Sequence, residues 1–167
     1  MAYVENYINI EHARIIFRNF SGRKSQYNRE GDRNFNVIIP DPELAKKLAE
    51  DGWNIHVREP RDESESPEYR LPVAVGFNYK PPKIVMVTSR KQTVLDEDTV
   101  GILDQADIAN VDLTIRPYNW KMQNRDGTES MGVKAYLKTM YVTIEEDAYA
   151  DKYARDEYPG EPPFDQN

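Results

Sequence analysis

A chain of 167 residues with 39% hydrophobic content and no cysteine can bury one proper core, and it excludes global disorder, a disulfide scaffold, a cysteine nucleophile and thiolate metal sites. No apolar run approaches the ~18–20 residues of a membrane span, and the opening MAYVENYINIEH lacks a signal-peptide pattern, so a cytoplasmic protein is expected. The net charge of −7 argues against a nucleic-acid partner only until its distribution is read.

Residues 145–167 hold eight acids and two bases, which leaves twenty bases and twenty-one acids in the rest. We therefore expect a domain over residues 1–144 and an acidic tail over 145–167. Within the domain the charges are segregated. Residues 80–91 carry four cations and no acid, whereas 95–112 carry six acids and no base. Such segregation allows a positive face on a nearly neutral body.

In chain order, Tyr7 to Phe20 reads as a first strand. Its adjacent Ile15 and Ile16 suggest a bulge or a strand buried on both faces, and the shared parity of His12, Arg14 and Arg18 predicts two arginines on one face. The loop SGRKSQYNREGDR follows, the most basic in the chain, with Tyr27 inside it. Asn34 to Ile39 is a second strand. Asp41, Pro42, Glu43 and Gly52 then supply a cap, a first helical position, a dipole partner and a stop for a helix. Trp53 to Val57 reads as a strand, and 59–68 as an acidic exposed loop. Leu71–Phe77 and Ile84–Thr88 read as strands joined by NYKPPK in a hairpin with an unusual turn, with Tyr79, Lys80 and Lys83 at that loop. Asp96 to Ile108 has the acids and apolar spacing of a short helix weakened at Gly101.

Val111 to Ile144 is the most informative stretch. Two strand-like runs flank QNRDGTES, in which Asp126-Gly127 is a turn signal. Strand alternation sets Val111, Leu113 and Ile115 against Arg116, Tyr118 and Trp120, and Val133, Ala135 and Leu137 against Lys134, Tyr136 and Lys138. Each run thus has a core face and a face mixing cations with aromatics. Such a face suits a single nucleic-acid strand, whose phosphates need positive charge and whose bases need flat apolar surfaces, although a hairpin coated with Tyr, Trp and Lys would look the same. The apolar parity changes after Leu137, to Met140, Val142 and Ile144, so a bend is expected near Lys138 to Thr139. The order of elements predicts a mainly β, OB-fold-like Greek-key barrel with one inserted helix and extra strands.

The sequence has no phosphate-binding glycine motif, its two histidines lack metal or triad spacing, and no enzyme signature or cofactor is expected. The acids Asp96, Asp98, Asp104, Asp107 and Asp112 could hold divalent ions in a nuclease, but cap and helix-end roles explain them better.

The segments TVLDEDTVGILDQADIANVDLTIRPYNWKM, KAYLKTMYVTIEEDAYADKYA and FRNFSGRKSQYNREGDRNFNV resemble small single-stranded DNA-binding proteins of bacteriophages and prophages. The resemblance implies an OB-fold that coats single-stranded DNA in phage replication and recombination, commonly as a dimer. It also implies an acidic tail that meets replication partners. Here the tip Glu157, Tyr158, Glu161, Pro163, Phe164 and Asp165 is similar, except that Asp165, Gln166 and Asn167 follow the phenylalanine.

On this reading Arg14, Arg18, Arg33, Lys83, Arg90, Arg116, Lys134 and Lys138 are candidate phosphate contacts, and Phe35, Tyr118, Trp120 and Tyr136 candidate stacking platforms. Single-stranded DNA is the expected partner, with no membrane. The competing reading is an acidic interaction module that does not bind nucleic acid, such as a phage anti-defence or assembly factor.

Overall fold

The first predicted strand is broken in two. In this computed structural model, which describes residues 3–146, β1 (Ile8–Ile10) pairs with β8 (Ile108–Gln123), and β2 (Ile15–Asn19) pairs with β3 (Arg33–Ile39). The joint is held by His12, whose φ is 56° and whose N–H donates to Asp112, and by the Ala13 N–H, which donates to the Val111 carbonyl. One continuous stretch of chain therefore bridges two strands that are far apart in the sheet.

That bridge closes a barrel. β3 runs antiparallel to β5 (Glu68–Val75), β5 parallel to β9 (Glu129–Ile144), and β9 antiparallel to β8, which returns to β1. Counting β1 and β2 as one bent strand gives the five-strand Greek-key order of an OB barrel. α1 (Pro42–Asp51) is inserted between β3 and β5, with β4 (His56–Arg58) added beside β5. Inward residues from every side, among them Phe20, Phe35, Val37, Leu71, Val73, Ile115, Leu137 and Met140, fill the interior. No helix among the described residues is long and apolar enough to cross a membrane.

Several elements follow their sequence signals. Asp41 accepts from the Glu43 N–H at the start of α1, and Gly52 stops the helix at φ 106°. In the β8–β9 ladder Thr114 faces Thr139 and Ile115 faces Leu137, so Lys138 is the unopposed residue where the bend was expected. Asn124 to Thr128 form the hairpin turn, with Gly127 at φ 89°.

Others differ. β5 and β6 (Lys83–Val87) form no hairpin: both lie parallel on β9, β5 at Ala135 and Tyr136 and β6 from Thr139 to Thr143. The chain leaves the edge of β9 over Gly76–Pro82 and rejoins it in the same direction. Pro81 and Pro82 lack the N–H groups a ladder needs, so this excursion stays outside the sheet. The hairpin partner of β6 is instead β7 (Gln92–Leu95), which the sequence pattern does not announce. The expected helix after Asp96 shrinks to one 3-10 turn, Val100–Asp104, weakened by Gly101 and tied to the end of β2 by the Asp104 carboxylate, which accepts from the Phe20 and Ser21 amides. Trp53 is not in a strand. It is a buried plug at the end of α1, bridged to Val133 of β9, whose N–H donates to the Gly52 carbonyl.

Candidate nucleic-acid interface

Outward residues of the sheet alternate with the buried ones. On β3 these are Asn34 and Asn36, on β5 Pro72 and Ala74, on β9 Lys134 and Tyr136, and on β8 Arg116 and Tyr118. Asn34 faces Ala74, Ala74 faces Tyr136 and Tyr136 faces Arg116, so one continuous row crosses four strands. The β3–β5 part of this floor is small and uncharged, which leaves a groove of about 850 Å³. One wall is the outer half of the β8–β9 hairpin, with Trp120, Met131 and Gly132. The other is the basic loop between β2 and β3, with Arg29, Gly31 and Asp32.

Both walls are organised by local chemistry. The basic loop closes at its neck where the Gly31 N–H donates to the Gly22 carbonyl. Gly22 sits at φ 75°, and a Cβ there would lie 3.2 Å from the Gly31 backbone, so glycine is favoured on both counts. The Asn28 amide donates to the carbonyls of Arg23, Arg29 and Asp32 and ties the loop together, leaving Tyr27 90% exposed at its tip. In the hairpin, Trp120 faces Gly132, and a Cβ there would sit 2.7 Å from the indole. The ring thus lies against the strand backbone and keeps 37% of its surface exposed.

The aromatic and cationic side chains of this face meet one another. The Arg116 guanidinium lies 4.8 Å from the Tyr136 ring centroid and the Lys134 ammonium 5.1 Å from it, while Tyr118, 51% exposed, packs edge-on against the same ring at 5.9 Å. Lys138 lies over Tyr7, which precedes β1. Among the described residues none of Arg116, Lys134 or Lys138 is paired with a carboxylate, and Arg116 Nε is buried without a hydrogen-bond partner. Cations held on π-faces instead of by acids keep their charge for an incoming anion.

The structure therefore brings together Arg116, Tyr118, Trp120, Lys134, Tyr136 and, at the bulge, Lys138. It does not bring the other expected residues to this cluster. Phe35 is corrected outright: it is 0% exposed, stacked on Phe20 in the core, and cannot receive a base. Arg18 is also corrected. A bulge sets Phe17 and Arg18 together opposite Phe35, breaking the expected parity, and Arg18 donates to the carbonyls of Leu103 and Ala106 as a brace for the 3-10 turn. Arg33 lines the groove but is half-buried. It donates to the Phe20 carbonyl, pairs with Glu97 at 3.6 Å and covers Phe77. Arg14 pairs with Glu68 at the far end of β3. Lys83 lies over Tyr141, away from the groove, and Arg90 is in the β6–β7 turn. The tail residues Glu157, Tyr158, Glu161, Pro163, Phe164 and Asp165 fall outside the described residues.

The residues missed were Tyr7, Gly132 and the small floor at Asn34, Pro72 and Ala74. Gly132 could have been found, because the Asp126-Gly127 turn sets the register that puts it opposite Trp120. Of the five acids weighed as metal ligands, three have other work: Asp104 holds Phe20 and Ser21, Asp96 caps its own turn through Asp98 and Thr99, and Asp112 holds His12. No cluster of three or more potential ligands for a metal occurs among the described residues.

Residues 2–160 match a family model described as "Putative phage ssDNA-binding domain". Among curated proteins nothing matches. Similar solved structures include the single-stranded DNA-binding protein from bacteriophage Enc34 in complex with ssDNA (12% identity, 88% of this chain and 95% of that one, TM-score 0.48). Its C-terminal truncation gives the same figures, and gp2.5, a single-stranded DNA binding protein encoded by bacteriophage T7, matches at 11% identity over 95% of this chain and 100% of its own, with TM-score 0.44. The barrel assignment rests on the strand order described above.

Proposed function

This chain belongs to the phage single-stranded DNA-binding domain family, and from that premise we propose that it coats single-stranded DNA without strong sequence preference during phage-type replication or recombination. The observation that carries this reading is the row Ala74, Tyr136, Arg116, flanked by Lys134, Tyr118 and Trp120, in which cations without carboxylate partners among the described residues lie against aromatic rings beside an uncharged floor. Phosphates would meet Arg116, Lys134 and Lys138, and bases would stack on Trp120, Tyr118 and the open part of Tyr136. Stacking tolerates any base because every base has a π-face. The basic loop with Tyr27 would close over the strand from the opposite wall.

The acidic tail completes the proposal. Its excess of six negative charges would compete with DNA for the cationic face and offer a docking segment to replication or recombination proteins, and a homodimer would fit the same role.

The test is a titration with oligo-dT at low and high salt, read by quenching of tryptophan emission. Trp53 is buried and Trp120 is exposed beside the groove, so quenching should vanish in Trp120→Phe while the emission of Trp53 remains. No binding by the wild-type protein at low salt would overturn the proposal in favour of an interaction module.

A further inference from the structure

Among the described residues Phe17 is the one Phe, Tyr or Trp at positive φ. It is 64% exposed, its φ is 54°, and it occupies the β2 bulge, with Arg18, opposite Phe35. A bulky residue at positive φ is a steric outlier that persists only where the surroundings impose it, and such outliers cluster at binding sites. The bulge accounts for the core: it lets both Ile15 and Phe20 turn inward. That role requires an extra residue. It does not require a phenylalanine with its ring in solvent.

The ring is nevertheless organised. The Arg70 guanidinium lies over it at 5.4 Å, and Arg70 has no carboxylate partner among the described residues. This repeats the arrangement of Arg116 on Tyr136. Arg70 and Ala74 are on the same outward face of β5, four residues apart, so the two stations are separated by roughly 13 Å along the strand. On the β3–β5 ladder between them lie Pro72 and its partner Asn36, both outward and uncharged. Around Arg70 the outward neighbours are Ile38 and His56, its direct ladder partners, with Glu68 beyond, whose charge is shared by Arg14 and Arg58.

We propose that Phe17 and Arg70 form a second stacking and phosphate station for the same single strand of DNA, extending its path from the hairpin groove across the outer face of β5 and β3. This rests on the reading above that the groove binds DNA. A strand of about four stacked nucleotides covers the gap, so short oligomers reach one station and longer ones reach both.

The experiment compares wild type, Phe17→Ala, Phe17→Gly and Trp120→Ala on oligo-dT of about 2 nucleotides, too short to cover the gap, and of about 16, the upper end of site sizes for one OB-fold. Phe17→Ala and Phe17→Gly are expected to bind the short oligomer like wild type and the long one about five-fold or more weakly. Phe17→Gly should lose this affinity without losing thermal stability, because glycine accepts the positive φ. Trp120→Ala should weaken both lengths. Wild-type affinity of both Phe17 variants for the long oligomer would overturn the second station and leave the first intact. Equal loss at both lengths, or a change of oligomeric state with unchanged DNA binding, would also overturn it, the latter by marking Phe17 as a protein contact. Unaltered binding by Trp120→Ala would instead fault the groove reading itself.

Discussion

Trp120 and Gly132 depend on each other because glycine brings no Cβ to the place the indole occupies. Gly132→Ala should therefore push the ring off the strand while leaving the core untouched. We expect weaker oligo-dT binding and a changed Trp120 emission with little change in Tm, and a variant that binds like wild type would show that ring placement is immaterial. Trp120→Ala removes the platform itself. Loss of one stacking residue is worth about 1–3 kcal/mol, so affinity should fall roughly 5- to 150-fold, and unchanged affinity would remove Trp120 from the site. Phe35 is the opposite case. Alternation along its strand already groups it with Val37 and Ile39 and against Asn34 and Asn36, which is the pattern of a core face. The stacking on Phe20 and full burial agree with that grouping. Phe35→Ala should cost about 3–5 kcal/mol of stability, seen as a Tm lowered by roughly ten degrees, with the affinity of the folded fraction preserved.

Elements were legible where periodicity and turn chemistry act locally. The hairpin, its turn, α1 and the bend at Lys138 all follow from spacing within a few residues. The pairing of β5 and β6 with β9 was not legible, since parallel neighbours are decided by contacts about sixty residues away in sequence. The joint between β1 and β2 was hidden for the same reason, because His12 takes up its positive φ against Asp112, a hundred residues on. That joint should also be sensitive to acid. The His12 backbone N–H holds the Asp112 carboxyl below its usual 3.8, outweighing the opposing effect of burial. A depressed carboxylate contributes stability that is present above its unfolded value and is lost as pH falls through the folded one. Tm followed from about pH 5 to about pH 2 should drop less steeply in Asp112→Asn than in wild type. Parallel curves would show that the joint does not report on this carboxylate.

For the whole molecule, the net charge misleads unless it is divided. The candidate site offers Arg116, Lys134 and Lys138 on the hairpin face and Arg29 on the opposite wall of the groove. If about four phosphates are neutralised there, log affinity against log salt should have a slope near −3, at about −0.7 per phosphate on single strands. A slope near zero would mean that phosphates are not what the groove holds. Deleting residues 145–167 is expected to tighten oligo-dT binding most at low salt, where an intramolecular competitor acts most strongly. Weaker or equal binding would leave the tail without a competitive role. Both expectations rest on segregation that can be counted in the sequence, whereas the geometry that makes the cations useful, rings in place of carboxylates, could be seen only in the fold.

The position of β9 has a kinetic consequence. It is the last of the described strands to leave the ribosome, yet β5, β6 and β8 all pair with it. Until residues through 144 have emerged, β5 and β6 have no partner on that edge, and the apolar faces of Leu71, Val73 and Ile84 have nothing to close against. The barrel must therefore form largely after synthesis of the domain. Its dominance by distant pairings also sets folding in the millisecond-to-second range typical of β topologies. During that interval the nascent chain presents unpaired strand edges, the form in which it is most open to pairing with another copy.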